Sequence, residues 1–97
     1  MSVDLVLASR DDAEVVERAL DNYLATLANS IERTRRKLRE FEKRYQASTE
    51  HFLKHKTADD LQGGDLDYVE WAGEARLLEG FTAEVQVLER VRAASSR

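Results

Sequence analysis

The chain has 97 residues, one domain's length at most. It contains no Cys and no Pro, which excludes a disulfide frame, a cysteine-based zinc site and a thiol nucleophile. Charged residues make up 35% and hydrophobic residues 42%, a balance that points to a soluble helical protein and away from disorder. The net charge of −4 is unevenly placed. Residues 33–56 hold nine Lys/Arg (Arg33, Arg35, Arg36, Lys37, Arg39, Lys43, Arg44, Lys54, Lys56) against Glu40, Glu42 and Glu50. The segments on either side are acidic, so the charge order is acidic, basic, acidic.

The opening stretch MSVDLVLASR interrupts its apolar residues with Asp4 and has no basic leader, unlike a secretory signal. No apolar run approaches the roughly 20 residues of a membrane span. A cytoplasmic address is therefore expected, with no membrane partner. Val3–Ala8 reads either as a short strand or as a helical lead-in. We expect residues 1–10 to be an extension that packs on another helix or another subunit.

The first long element is predicted over about residues 12–46. Leu20, Leu24, Leu27, Ile31, Thr34, Leu38, Phe41 and Tyr45 step by alternating fours and threes, a heptad seam broken in hydrophobicity only at Thr34. Ala13, Val16 and Tyr23 widen the stripe near its start. Ser9, Asp11 or Asp12 can cap the helix, and Lys43 and Arg44 suit its negative end. Ser48, Thr49 and Glu50 signal a second start, giving a short helix at about 48–56 anchored by Phe52 and Leu53. Too short to hold alone, it must lie on something else. The segment Thr57–Asp65, with Gly63-Gly64, reads as a loop. A third helix follows at about 66–93, capped by Asp65 or Asp67. Trp71, Ala75, Leu78, Phe81, Val85, Leu88 and Val91 form its stripe, and Val69, Leu77 and Val87 broaden it, as expected for a helix with more than one neighbour.

A helix of about 34 residues is roughly 50 Å long, whereas a compact chain of this size has a radius of gyration near 13 Å. The expected fold is therefore an all-α, coiled-coil-like, antiparallel helical hairpin with a short connecting helix, forming a single domain over 1–97. A two-helix hairpin buries one face of each helix, which predicts a homo-oligomer, with a dimeric bundle favoured. The expected core and interface residues are Leu20, Leu24, Leu27, Ile31, Leu38, Phe41, Tyr45, Phe52, Trp71, Leu78, Phe81, Val85 and Leu88. In an antiparallel arrangement the basic end of the first helix meets the acidic start of the third.

Four groups could carry more specific chemistry. His51 and His55 stand at i, i+4 and could share a zinc or nickel ion with Glu50 or Asp59. The plainer reading is two solvated histidines, since no motif completes the site. Arg33, Arg35, Arg36, Lys37 and Arg39 could bind phosphate, but they point to several sides of the helix and no aromatic residue is interleaved. Asp65, Asp67 and Glu70 resemble a fragment of a calcium loop without its remaining ligands; capping and pairing with the basic segment is the simpler reading. Trp71 with Tyr68 reads as core or subunit interface. No constellation supports catalysis, and neither a cofactor nor a metal is expected.

Two stretches carry a resemblance: Phe41-Glu42-Lys43-Arg44-Tyr45-Gln46-Ala47-Ser48-Thr49-Glu50-His51-Phe52 and Asp65-Leu66-Asp67-Tyr68-Val69-Glu70-Trp71. They resemble a group of small bacterial and archaeal helical proteins with a Phe-Glu-x-Lys-Tyr stretch, then Ser and a later Phe, then a Gly/Asp-rich turn ending in Glu-Trp. The chain differs from that group at Gln46-Ala47, where Gly-Met is more familiar. The resemblance covers about residues 38–72 and implies an antitoxin-like member of a toxin–antitoxin-type pair, without functional residues to carry over. The expected function is thus a non-enzymatic protein–protein interaction module. The alternative is a nucleic-acid-binding helical protein using the basic segment 33–44. Physically, Phe41, Tyr45, Phe52, Tyr68 and Trp71 are expected to meet at the tip of the hairpin.

Overall fold

The computed structural model describes residues 10–55 and 64–95. Within them are three helices: α1 over Arg10–Tyr45, α2 over Thr49–His55 and α3 over Gly64–Ser95. Val3–Ala8 and most of the Thr57–Asp65 segment lie outside the described residues. None of the described helices is long and apolar enough to cross a membrane.

α1 and α3 run antiparallel. Lys37 approaches Glu70 and Glu74 at 3.5 and 3.8 Å, Tyr23 donates a hydrogen bond to Glu84 at 2.8 Å, and Asp21 pairs with Arg92. Sequence numbers rise along one helix as they fall along the other. The body is a rod of 58 × 25 × 20 Å with a radius of gyration of 18.5 Å, far from the roughly 13 Å of a compact chain of this length.

The heptad positions of α1 lie along the α3-facing side, and their burial is greatest between Leu27 and Phe41. Leu20, Leu24, Ile31 and Tyr45 are half-buried, while Leu27, Thr34, Leu38 and Phe41 are buried. Thr34, the one polar step in the series, is only 1% exposed. Its position in the 3.5-residue repeat, rather than its polarity, decides where it points. Among the described residues no buried side-chain N or O lacks a hydrogen-bond partner.

The turn from α1 into α2 is built from local hydrogen bonds. Gln46 takes a left-handed φ of 54°, and the Ala47 N–H reaches back to the Glu42 carbonyl at 3.2 Å. This is a Schellman-type stop, helped by Gln46 Nε2 donating to the Lys43 carbonyl at 2.9 Å. Ser48 then caps α2, its Oγ accepting the His51 N–H at 3.1 Å, while Glu42 Oε2 accepts the Thr49 N–H at 2.8 Å.

Four details differ from the sequence expectation. α1 begins at Arg10, about two residues early, so Asp11 and Asp12 lie in its first turn rather than cap it. α3 begins at Gly64, whose φ of 63° only glycine adopts freely, so the helix starts about two residues earlier than the acidic caps suggested. Leu53 is exposed although Phe52 is fully buried. Successive helical residues lie about 100° apart, and α2 has only one face against the rest of the described residues. Val91 has also rotated off the buried stripe to 40% exposure.

Candidate interaction surface

The aromatic tip positions everything around it. Trp71 is fully buried and lies parallel to Phe52, with ring centroids 4.0 Å apart. Phe41 and Tyr45 stack on Trp71 at 5.4 and 5.7 Å, and Tyr68 meets Phe52 edge-on at 5.3 Å. All five expected aromatics therefore meet where the three helices converge. The indole N–H of Trp71 donates to Thr49 Oγ1 at 3.0 Å, which ties α3 to the first residue of α2. Such ring pairs add about 0.5–1.5 kcal/mol each beyond the area they bury.

The polar rim of the tip is centred on Asp67. Its carboxylate accepts a hydrogen bond from the Tyr45 hydroxyl and another from Arg44 at 3.1 Å. The Tyr45 hydrogen bond foremost, then the Arg44 guanidinium, hold the Asp67 carboxyl below the ordinary carboxylate range against the opposing effect of desolvation. The same pairing raises the Arg44 pKa. At the other end of the rod, the hydrogen bond to Glu84 raises the Tyr23 hydroxyl above its ordinary value. The acidic trio thus splits: Asp67 serves Arg44 and Tyr45, Glu70 serves Lys37, and Asp65 remains exposed.

His51 and His55 sit side by side, ring centroids 4.7 Å apart, on the exposed face of α2. Glu50, one of the suggested oxygen ligands, is held by Lys54 at 3.0 Å, and Asp59 lies outside the described residues. Among the described residues no group of three or more metal-ligating side chains converges. Of the basic stretch, Lys37 and Arg44 turn toward α3, while Arg33, Arg35, Arg36 and Arg39 stay exposed on several sides of α1.

Among the described residues, two of the concave surfaces border α3 near this frame. The first is an open groove of about 490 Å³ where α1, α2 and α3 meet. Leu38, Leu53, Ala75 and Leu78 supply its apolar walls, and Arg35, Arg39, Glu42, Glu50 and Glu79 its charged rim. The second is a shallow hollow of about 420 Å³ along α3, bordered by Gly73, Arg76, Leu77, Gly80, Phe81 and Glu84. Leu66, Val69, Leu77 and Val87 stand exposed on α3 as well.

The expected core residues divide accordingly. Leu27, Leu38, Phe41, Phe52 and Trp71 are buried, and Leu20, Leu24, Ile31, Tyr45, Leu78, Phe81, Val85 and Leu88 are half-buried. Leu53 and Leu77 belong to the candidate surfaces instead, as their neighbours Phe52 and Leu78 take the inward positions. No protein-family model matches this chain, and comparison with curated proteins and with solved structures finds no match.

Proposed function

We propose that this chain is a non-catalytic helical module that binds another protein through the groove between its three helices. The observation that carries the reading is Leu53. It is 56% exposed on a short helix that Phe52 and Thr49 clamp in place. An apolar side chain held rigidly beside a groove, with a rim of both charge signs, suits an amphipathic helix or turn that inserts one or two apolar residues. The rigid tip lowers the ordering cost of binding.

The resemblance of residues 38–72 to antitoxin-side proteins directs the first test to the product of the neighbouring gene. Co-expressed with the tagged chain, that product is expected to co-purify at a fixed ratio and to be lost with Leu53→Glu. Leu53→Glu lies outside the core, so its circular dichroism should match the parent. Photo-crosslinking from position 53 in native extract that yields no adduct with any other protein would overturn the reading.

The exposure of Arg33, Arg35, Arg36 and Arg39 favours nucleic acid as the second reading. It predicts binding that weakens steeply with salt, and a flat gel-shift titration at low salt removes it.

A further inference from the structure

α3 carries two apolar stripes, of which only one faces α1. The other runs through Leu66, Gly73, Leu77, Gly80 and Val87, with Val69 beside it. Positions 66, 73, 80 and 87 recur at intervals of seven, and Leu77 falls four after Gly73 and three before Gly80. That is the spacing of a helix–helix seam, in which Glu70 and Glu84 take the remaining positions. Leu66 is 75% exposed, Val69 65%, and Leu77 and Val87 47% each. A Cβ at Gly73 or Gly80 would meet nothing within 4 Å. Glycine inside a helix is destabilising relative to alanine, and nothing among the described residues makes use of the gap it leaves here.

We propose that this outer face of α3 pairs antiparallel with the same face of a second copy of the chain. The centre of the stripe, Leu77 and Gly80, is complementary to itself when reversed. With the two-fold axis between Leu77 and Gly80, each Leu77 comes level with Gly80 of the second copy, so each leucine enters the other's glycine gap. The charges beside the stripe follow the same register. Arg76 falls within a turn of Glu84 of the second copy, and Arg90 within a turn of Asp65, each twice over by symmetry. A parallel pairing sets Glu84 against Glu84 and Leu77 against Leu77, leaving like charges together and the gaps empty. Charge complementarity thus selects a second copy and its direction. The result is a body of four long helices with both α3 helices inside. This rests on the reading of the chain as an interaction module but uses a different face from the groove.

The full chain is the test material, and its lack of cysteine allows clean single-cysteine variants. Light scattering should give twice the chain mass for the parent and the single-chain mass for Leu77→Glu, with helix content kept. Should Leu77→Glu fail to fold, Gly80→Leu fills a gap that is open among the described residues and should also give a folded single chain. Under mild oxidation, an equimolar mixture of Leu77→Cys and Gly80→Cys chains should form covalent pairs faster than either alone. Arg90→Asp and Asp65→Arg should each weaken pairing and restore it when mixed. A parent at single-chain mass, a folded Leu77→Glu or Gly80→Leu variant that stays dimeric, or Leu77→Cys alone linking as fast as the mixture would each overturn the proposal. A single-chain parent that still retains its partner protein through Leu53 overturns this pairing alone. A dimer that binds no other protein overturns the groove reading alone.

Discussion

The two ends of the rod are held differently. At the tip three helices converge, and Trp71, Phe52, Phe41 and Leu38 are buried together, with the Trp71 N–H bonded to Thr49. At the open end, among the described residues, only two helices meet. There Leu27 is the one buried apolar residue of α1, and the exposed Tyr23–Glu84 and Asp21–Arg92 pairs lie across half-buried Leu20, Leu24, Val85 and Leu88. Two helices can shield one face of each other; a third element is needed to close a core. The seven residues of α2 therefore do more for burial than their length suggests.

The largest test of this contrast is Trp71→Ala. Removing the residue that Phe52, Phe41 and Tyr45 all stack on should cost about 4 kcal/mol, seen as an early chemical-denaturation midpoint with loss of helix along the whole rod. Leu27→Ala should cost less, about 2–3 kcal/mol, because half-buried neighbours can close part of the cavity. Hydrogen exchange should then quicken over α1 before Ile31 and over the last turns of α3, with the tip unchanged. If both variants loosen both ends equally, the division into two regions is wrong.

A smaller effect is expected from acid. The folded-state pKa of Asp67 is depressed by the Tyr45 and Arg44 hydrogen bonds. Its contribution is therefore complete above the ordinary carboxylate value of about 4 and is lost as pH falls through the lower folded value. Stability of the parent should fall more steeply across that window than stability of Asp67→Asn, with tryptophan fluorescence as the local readout. The smallest effect should come from Gln46→Gly. Relief of the left-handed φ favours the variant, and loss of the Nε2 bond to Lys43 opposes it. The net gain expected is about 0.5 kcal/mol, measured as a later denaturation midpoint.

The parts legible before folding are those with one apolar face. α1 has a single seam, so alternating fours and threes located its inward side, including Thr34, whose polarity alone would have argued otherwise. The aromatic tip was legible because Phe41, Tyr45, Phe52, Tyr68 and Trp71 fall close to the ends of their elements, which a hairpin must bring together. The second stripe of α3 was harder to separate. Leu66, Val69, Leu77 and Val87 overlap in sequence with the inward set, and periodicity cannot say which of two stripes meets the same chain. Leu53 departs from expectation for a related reason: beside Phe52 it reads as a second anchor, and only the docking angle of α2 decides which of the two turns inward.

The antiparallel layout also imposes an order of assembly. The Trp71–Thr49 bond joins positions 22 apart in sequence, whereas the Tyr23–Glu84 bond joins positions 61 apart. Loop-closure entropy makes the nearer meeting cheaper by about 0.9 kcal/mol, and it is also the one with more apolar surface to gain. The molecule should close like a zip fastener pulled from the bend. On the ribosome, the seam of the first helix must wait, unclasped, until the indole has emerged.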